Sequence, residues 1–373
     1  MPRQFHDGRK DGLQPLESPD PEHVHSFSDL LRAMQKTAFA GRQIGEAFDV
    51  MQDMVSDPDC LVVATLSGAM TVAKMSTLLC RMIEHGMINV IIATGALITH
   101  GLTESLGLVH YRLPHNASDA ELYAKGYNRV YDTVEMEANL YEVEEVVHRA
   151  LDQLDPHGIW SSASVTRTIG RILHEEYDGE GVLKSAYCRG VPVYIPAFTD
   201  SEMGMDLSFW AMRRAIREGS VVNNGDHHLR LSDLLTQLPP FNPYRDLQCY
   251  AHDIVRAPRT GIFTIGGGVP RNWAQQVGPY VDFMAERLGI KERVPRFHYG
   301  VRLCPEPAHW GGLSGSTYSE GISWGKFVPP ADGGRFAEVY ADATVVLPLL
   351  VQGLMECQQT SPTPRKCFNT PPS

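Results

Sequence analysis

The sequence predicts an α/β fold: a Rossmann-like, mostly parallel sheet with helices on both faces. Three observations carry that expectation. Short β-branched runs such as "CLVVATL" (60–66) and "INVIIATG" (88–95) are apolar nearly throughout, as strands buried on both faces must be. The segment between them repeats its apolar residues every three or four positions, the period of a helix. The strand-like runs also end in small or polar residues, Ser67-Gly68-Ala69, Thr94-Gly95-Ala96, Thr199-Asp200 and Gly266-Gly267-Gly268. Those are the ends at which an open parallel sheet binds its ligands.

Each element follows in order. Residues 1–25 are polar and proline-bearing and read as an extended N-terminal arm. "FSDLLRAMQKTAFAGRQIGEAFDVMQDMV" has helical periodicity and predicts one long helix. After the strand at 60–66, "TVAKMSTLLCRMIEHG" places Met75, Leu78, Leu79, Met82 and Ile83 on one stripe, with Gly86 where a helix cap belongs. The strand at 88–95 completes a βαβ unit. "VPVYIPAFTD" (191–200) predicts a strand, with a helix from about Leu207 to Arg217. "TGIFTIGGGVPRNWAQQ" (260–276) predicts a strand, a glycine turn and a helix with proline in its first turn. "RFHYGVRL" (296–303) and "RFAEVYA" (335–341) add two strands, and 342–358 a final apolar helix. Insertions near 115–190 and 220–257 read as helical. Residues 26–358 are therefore expected to form a single domain, and 359–373 a disordered tail.

Composition narrows the function. The 373 residues carry 44 acidic against 33 basic side chains, a formal charge of −11. Such a surface repels nucleic acid and anionic lipid and favours small cations. The N-terminus lacks an apolar signal region, and no run reaches the ~18 apolar residues of a membrane span, so a cytoplasmic protein is expected. The seven cysteines are scattered, without C-x-x-C, and read as reduced thiols. "GDHH" (225–228) lies in a turn-rich stretch without ligand spacing, so no metal is expected.

Two features carry chemistry. The glycine-rich strand ends suit a nucleotide or dinucleotide, although none matches G-x-G-x-x-G and tight turns alone could require them. In "GISWGKFVPP" (321–330), Lys326 sits among Ile322, Trp324, Phe327 and Val328. A lysine that loses its water shifts toward the neutral amine, a nucleophile able to form imines. The alternative is a surface lysine whose stem lies on apolar groups.

"EGISWGKF" (320–327) and "EVYADATVVLPLL" (338–350) resemble the C-terminal signature of deoxyhypusine synthases. "IGGGVPRN" (265–272), "PAFTDSEMG" (196–204) and "EHGMINVIIATGA" (84–96) are similar to that family in the same order, over roughly 25–358. The resemblance implies a homotetramer with sites at subunit interfaces, NAD as cofactor, and transfer of a polyamine's aminobutyl group through a lysine imine to an acceptor amine. It implies Lys326 as the imine-forming residue and Glu320, Trp324, Asn272, His100 and Asp206 as substrate-binding. It assigns Ser67, Gly68, Ala69, Thr94, Gly95, Asp200, Gly267, Asp342 and Ala343 to NAD.

Three departures qualify it. Thr99-His100 stand where the family has paired glutamates. Asn272 replaces a histidine proposed as base, with His100 as its possible stand-in. "CPEPAHWGGLSG" (304–315) replaces another family motif, with Glu306 and His309 as possible substitutes. The expected activity is an NAD-dependent aminobutyltransferase with a small amine acceptor, as in homospermidine synthesis from putrescine. The alternatives are true deoxyhypusine synthase modifying a lysine of the hypusine-bearing translation factor, a non-catalytic polyamine- or NAD-binding subunit, and a dehydrogenase that releases NADH.

Overall fold

The structure is a computed structural model and describes residues 3, 5–221 and 229–360. "GDHH" and residues 361–373 of the expected tail lie outside the described residues; residues 359 and 360 close the last helix.

Nine strands are present among the described residues: β1 (Cys60–Leu66), β2 (Val90–Ala93), β3 (Tyr111–Arg112), β4 (Tyr127–Val130), β5 (Thr133–Met136), β6 (Val193–Tyr194), β7 (Arg259–Ile265), β8 (Tyr299–Leu303) and β9 (Arg335–Val339). Six form one parallel sheet in the order β6-β2-β1-β7-β8-β9. Taken in chain order these six run 3-2-1-4-5-6, the doubly wound Rossmann arrangement. The direction of winding reverses between β1 and β7, which pair from Cys60↔Arg259 to Leu66↔Ile265. All seven residues of β1 are buried, and they alternate between two cores. Val62, Ala64 and Leu66 pack with Phe48, Met51, Phe263 and Leu350. Leu61 and Val63 pack with Tyr250, Ile262, Phe297 and Phe327 on the other face. Period-two alternation with both faces covered explains the uninterrupted apolar run.

The expected long helix is two helices, Phe27–Gln35 and Phe39–Ser56. Thr37 Oγ1 donates to Met34 O at 2.7 Å and Phe39 takes a φ of 57°, so the chain turns here. The helices then cross at Gly45, where a Cβ would lie 2.6 Å from Leu31 O. The helix after β1 starts at Ser76, because Lys74 adopts a φ of 62° that no helix continues. Gly86, at a φ of 67°, ends it as the sequence predicts. The strand expected over 191–200 shrinks to Val193–Tyr194 at the sheet edge, flanked by Pro192 and Pro196, neither of which has an N–H to donate. The following helix begins earlier than expected, at Glu202, since Ser201 accepts from Gly204 N and caps it.

The insertion expected near 115–190 is not purely helical, and its small sheet begins before it, at β3. β3, β5 and β4 form a small antiparallel sheet beside the helix Asp119–Ala124. The β4–β5 turn uses Tyr131 at a φ of 53° in place of glycine, which removed the usual hairpin signal.

Candidate active site

At the switch point a cleft of about 160 Å³ opens beyond the carboxyl ends of β1, β2 and β7. Ser67, Thr94, Gly95, Asp200 and Gly267, five residues expected to meet a cofactor, line it together with Ala197, Val269, Pro270 and Ser314. Two helices, Gly95–Ser105 and Gly268–Gln275, start at this cleft. Their unpaired N–H groups and positive dipole ends suit an anion. The turn is tightly built. Gly266 and Gly268 have φ of 74° and 59°, a region that favours glycine. A Cβ on Gly267 would lie 2.4 Å from Ser314 Cα, and one on Gly95 would lie 2.3 Å from Ser201 Cβ. Ser67 Oγ donates to Gly267 O, and Thr94 Oγ1 to Gly68 O at 2.8 Å, tying the three loops together. These features fit a nucleotide phosphate; the volume is below the ~300 Å³ of a whole ligand site.

The other cofactor candidates sit differently. Gly68 and Ala69 follow Ser67 without lining the cleft. Asp342 caps the last helix, its Oδ1 accepting from Thr344 N at 2.8 Å, while Ala343 is buried. Both follow β9, two strands from β7, hence about 10 Å along the same sheet edge.

Lys326 is half-buried and docks on the helix that leaves the glycine turn. Its Nζ lies 3.5 Å from Asn272 Oδ1, a long contact that leaves the amine largely uncommitted. Asn272 is four residues from Gly268, about 6 Å along the helix. Nζ stands 5.9 Å from the centroid of the Trp324 ring, so this amine itself lies over the face of a residue expected to bind the substrate. Burial lowers the Lys326 pKa, and the nearby Arg271 charge lowers it further, while the exposed Glu320 opposes them. Arg271 is itself 2% exposed, with Nη1 donating to Ser316 O at 2.7 Å and Nε and Nη2 unpaired. Trp324 is 66% exposed, not core.

His100 and Asp206 belong to a separate network. His100 turns Nδ1 to Glu135 and Nε2 toward Glu202. Asp206 is buried near Glu144 and Glu202, and desolvation, with those two charges, pushes its carboxyl up to about 7. Glu306 folds back onto Gly312 and His309 is exposed beside Trp310; from that loop it is Ser314 that reaches the cleft. Sequence reasoning missed Arg271, Ser314, Glu135 and Glu202. Arg271 and Glu202 sit inside quoted motifs and were readable as charges there; Glu135 gave no signal.

The strand order and switch-point cleft define a doubly wound α/β protein, with a half-buried amine against the helix that leaves the glycine turn. The deoxyhypusine synthase family model matches residues 29–354, and the chain belongs to that family. It is 30% identical over 332 residues to the "Probable deoxyhypusine synthase 2" of Methanosarcina acetivorans, covering 89% of this chain and 87% of that one. It is 29% identical to the "Deoxyhypusine synthase-like protein" of Chlorobaculum parvum, covering 92% and 91%. Among solved structures, "Crystal Structure of a putative deoxyhypusine synthase from Entamoeba histolytica" aligns with a TM-score of 0.55 at 12% identity, over 95% of this chain and 100% of that one, a likeness of fold.

Proposed function

We propose that this protein is an NAD-dependent aminobutyltransferase that carries the group on Lys326 and delivers it to a small amine, as in homospermidine synthesis. The observation that supports this most is the state of Lys326: half-buried, near a buried arginine, and in an ion pair with no carboxylate among the described residues. Such an amine is neutral more often than a surface lysine, and only the neutral form attacks. Bound NAD would accept a hydride from the donor polyamine and return it at the end. Lys326 Nζ adds to the imine carbon so formed, and the donor's remaining diamine leaves as the C–N bond to it breaks. The acceptor amine then displaces Lys326 in the same way. Asn272 positions Nζ, and the helix N-termini at Gly95 and Gly268 would hold the pyrophosphate. His100 faces two carboxylates and is not the base for Lys326 in this scheme.

The cleft alone is too small for the cofactor, and Val269, Trp310, Leu313 and Trp324 are exposed apolar side chains of the segments around it. Both points favour a site completed by a second copy within a homotetramer. The 2-residue loss of paired glutamates favours a small acceptor; the names of the relatives favour a protein lysine, the second reading. No described helix is long and apolar enough to cross a membrane. Mass spectrometry of products from a polyamine panel, with and without the hypusine-bearing factor, tests the proposal. A new polyamine absent with Lys326→Ala supports it; modified factor alone supports the second reading; NADH accumulation without transfer contradicts both.

A further inference from the structure

His100, on the helix Gly95–Ser105, His110, just before β3, and Glu135, on β5, bring their ligand atoms within 4.8 Å of one another. Glu135 is 1% exposed. Its Oε2 lies 2.5 Å from His100 Nδ1 and its Oε1 3.4 Å from His110 Nε2. The His110 side chain is 1% exposed, yet this Nε2 makes no hydrogen bond. A buried imidazole nitrogen aimed at a carboxylate without bonding it calls for a further partner.

The outer contacts are arranged in the same sense. His100 Nε2 lies 3.9 Å from Glu202 Oε1, and His110 Nδ1 lies 3.8 Å from Glu104 Oε1. Each imidazole therefore turns one nitrogen to Glu135 and the other to a second carboxylate, the arrangement that orients metal-bound histidines. Thr103 Oγ1 donates to Glu135 Oε1 at 2.5 Å and fixes that carboxylate. Lys74, 53% exposed, pairs with Glu104 from the solvent side and reaches 3.4 Å from His110 Nδ1.

We propose that His100, His110 and Glu135 bind one divalent cation of the zinc class. Two imidazoles and a carboxylate select borderline ions such as zinc or cobalt over magnesium or calcium, and leave a fourth position for water. The ligands come from the main-sheet helix, the connecting loop and the small antiparallel sheet, so the ion joins that sheet to the Rossmann core. The same Thr99-His100 change that removes the family's glutamates supplies a ligand. This site is independent of the transfer reaction proposed above.

The test uses the full-length protein, stripped with chelator, given an equimolar amount of zinc and passed through gel filtration. Elemental analysis is expected to find one zinc per chain, and cobalt in its place a visible absorption band. His110→Ala and Glu135→Gln each weaken zinc binding at least ~100-fold, and Glu104→Gln about 10- to 100-fold. A double variant, His227→Ala with His228→Ala, keeps the ion. Wild type that holds no zinc overturns the proposal and leaves two imidazoles sharing one carboxylate. So does an ion lost from the double variant but kept by His110→Ala. Should a ligand variant not fold, the wild-type count decides.

Discussion

Two half-hidden clusters lie beside this sheet, and they treat charge in opposite ways. Around Lys326 the chain withholds counter-charge: burial and Arg271 press its pKa down, and Glu320 is exposed. Around His110 it supplies counter-charge: burial opposes the imidazolium, yet Glu104 and Glu135 outweigh it and raise the pKa to about 9. Glu135 shows the other half of that balance, its burial overcome by His100, His110 and Thr103, which take it to about 2. One cluster favours a neutral nucleophile; the other attracts positive charge, whether proton or metal. In the proposed scheme the reacting residue is the one left short of partners.

Removing the amine should break the contrast most severely. Lys326→Ala is expected to lower turnover on the order of 10³-fold or more while leaving the melting temperature near wild type, read by product formation and calorimetry. A retained rate would move the chemistry elsewhere.

The glycine turn comes next. Gly267→Ala forces a Cβ to within 2.4 Å of Ser314 Cα, so the cleft wall must shift. Overpacking of this kind costs roughly 1–3 kcal/mol, and dinucleotide affinity measured by fluorescence titration should fall with it. Unchanged affinity would separate the cofactor from this cleft.

Asp206 sharpens the account of buried charge. Its folded-state pKa of about 7 exceeds the ordinary 3.8, so the native state binds the proton more tightly than the unfolded chain. Stability from this group is present below the unfolded value and is lost as pH rises toward 7. Asp206→Asn should therefore stabilise on the order of 2 kcal/mol at pH 8 and little near pH 4, as denaturant melts at both pH values would show. Equal effects at both would place its cost outside ionisation.

The smallest effect is a shift in a pH profile. Arg271→Met removes the positive charge that helps to lower the Lys326 pKa, so the alkaline rise in adduct formation should move to higher pH. A rate series across pH checks this. Loss of rate without a shift would give Arg271 a packing role under Tyr318, over whose ring it lies at 5.4 Å.

Much of the frame was legible in the sequence because it rests on local patterns. β1 and β7 are buried on both faces and so read as apolar runs, and their ends must be small for the loops at Ser67, Thr94 and Gly267 to meet. Lys326 stood out through its apolar neighbours. What escaped depends on contacts distant in sequence. Glu135 joins His100 across 35 residues, and Ser314 backs Gly267 across a loop. The break at Thr37 escaped because both helices keep an apolar stripe through it, and the antiparallel sheet because its strands are short and largely polar.

The most direct test incubates wild-type protein with NAD and a polyamine donor, reduces with borohydride, and maps the modified peptide by mass spectrometry. The account predicts an aminobutyl adduct on Lys326 that requires both NAD and the polyamine. An adduct on another lysine, or none with any polyamine while NAD is bound, would contradict it.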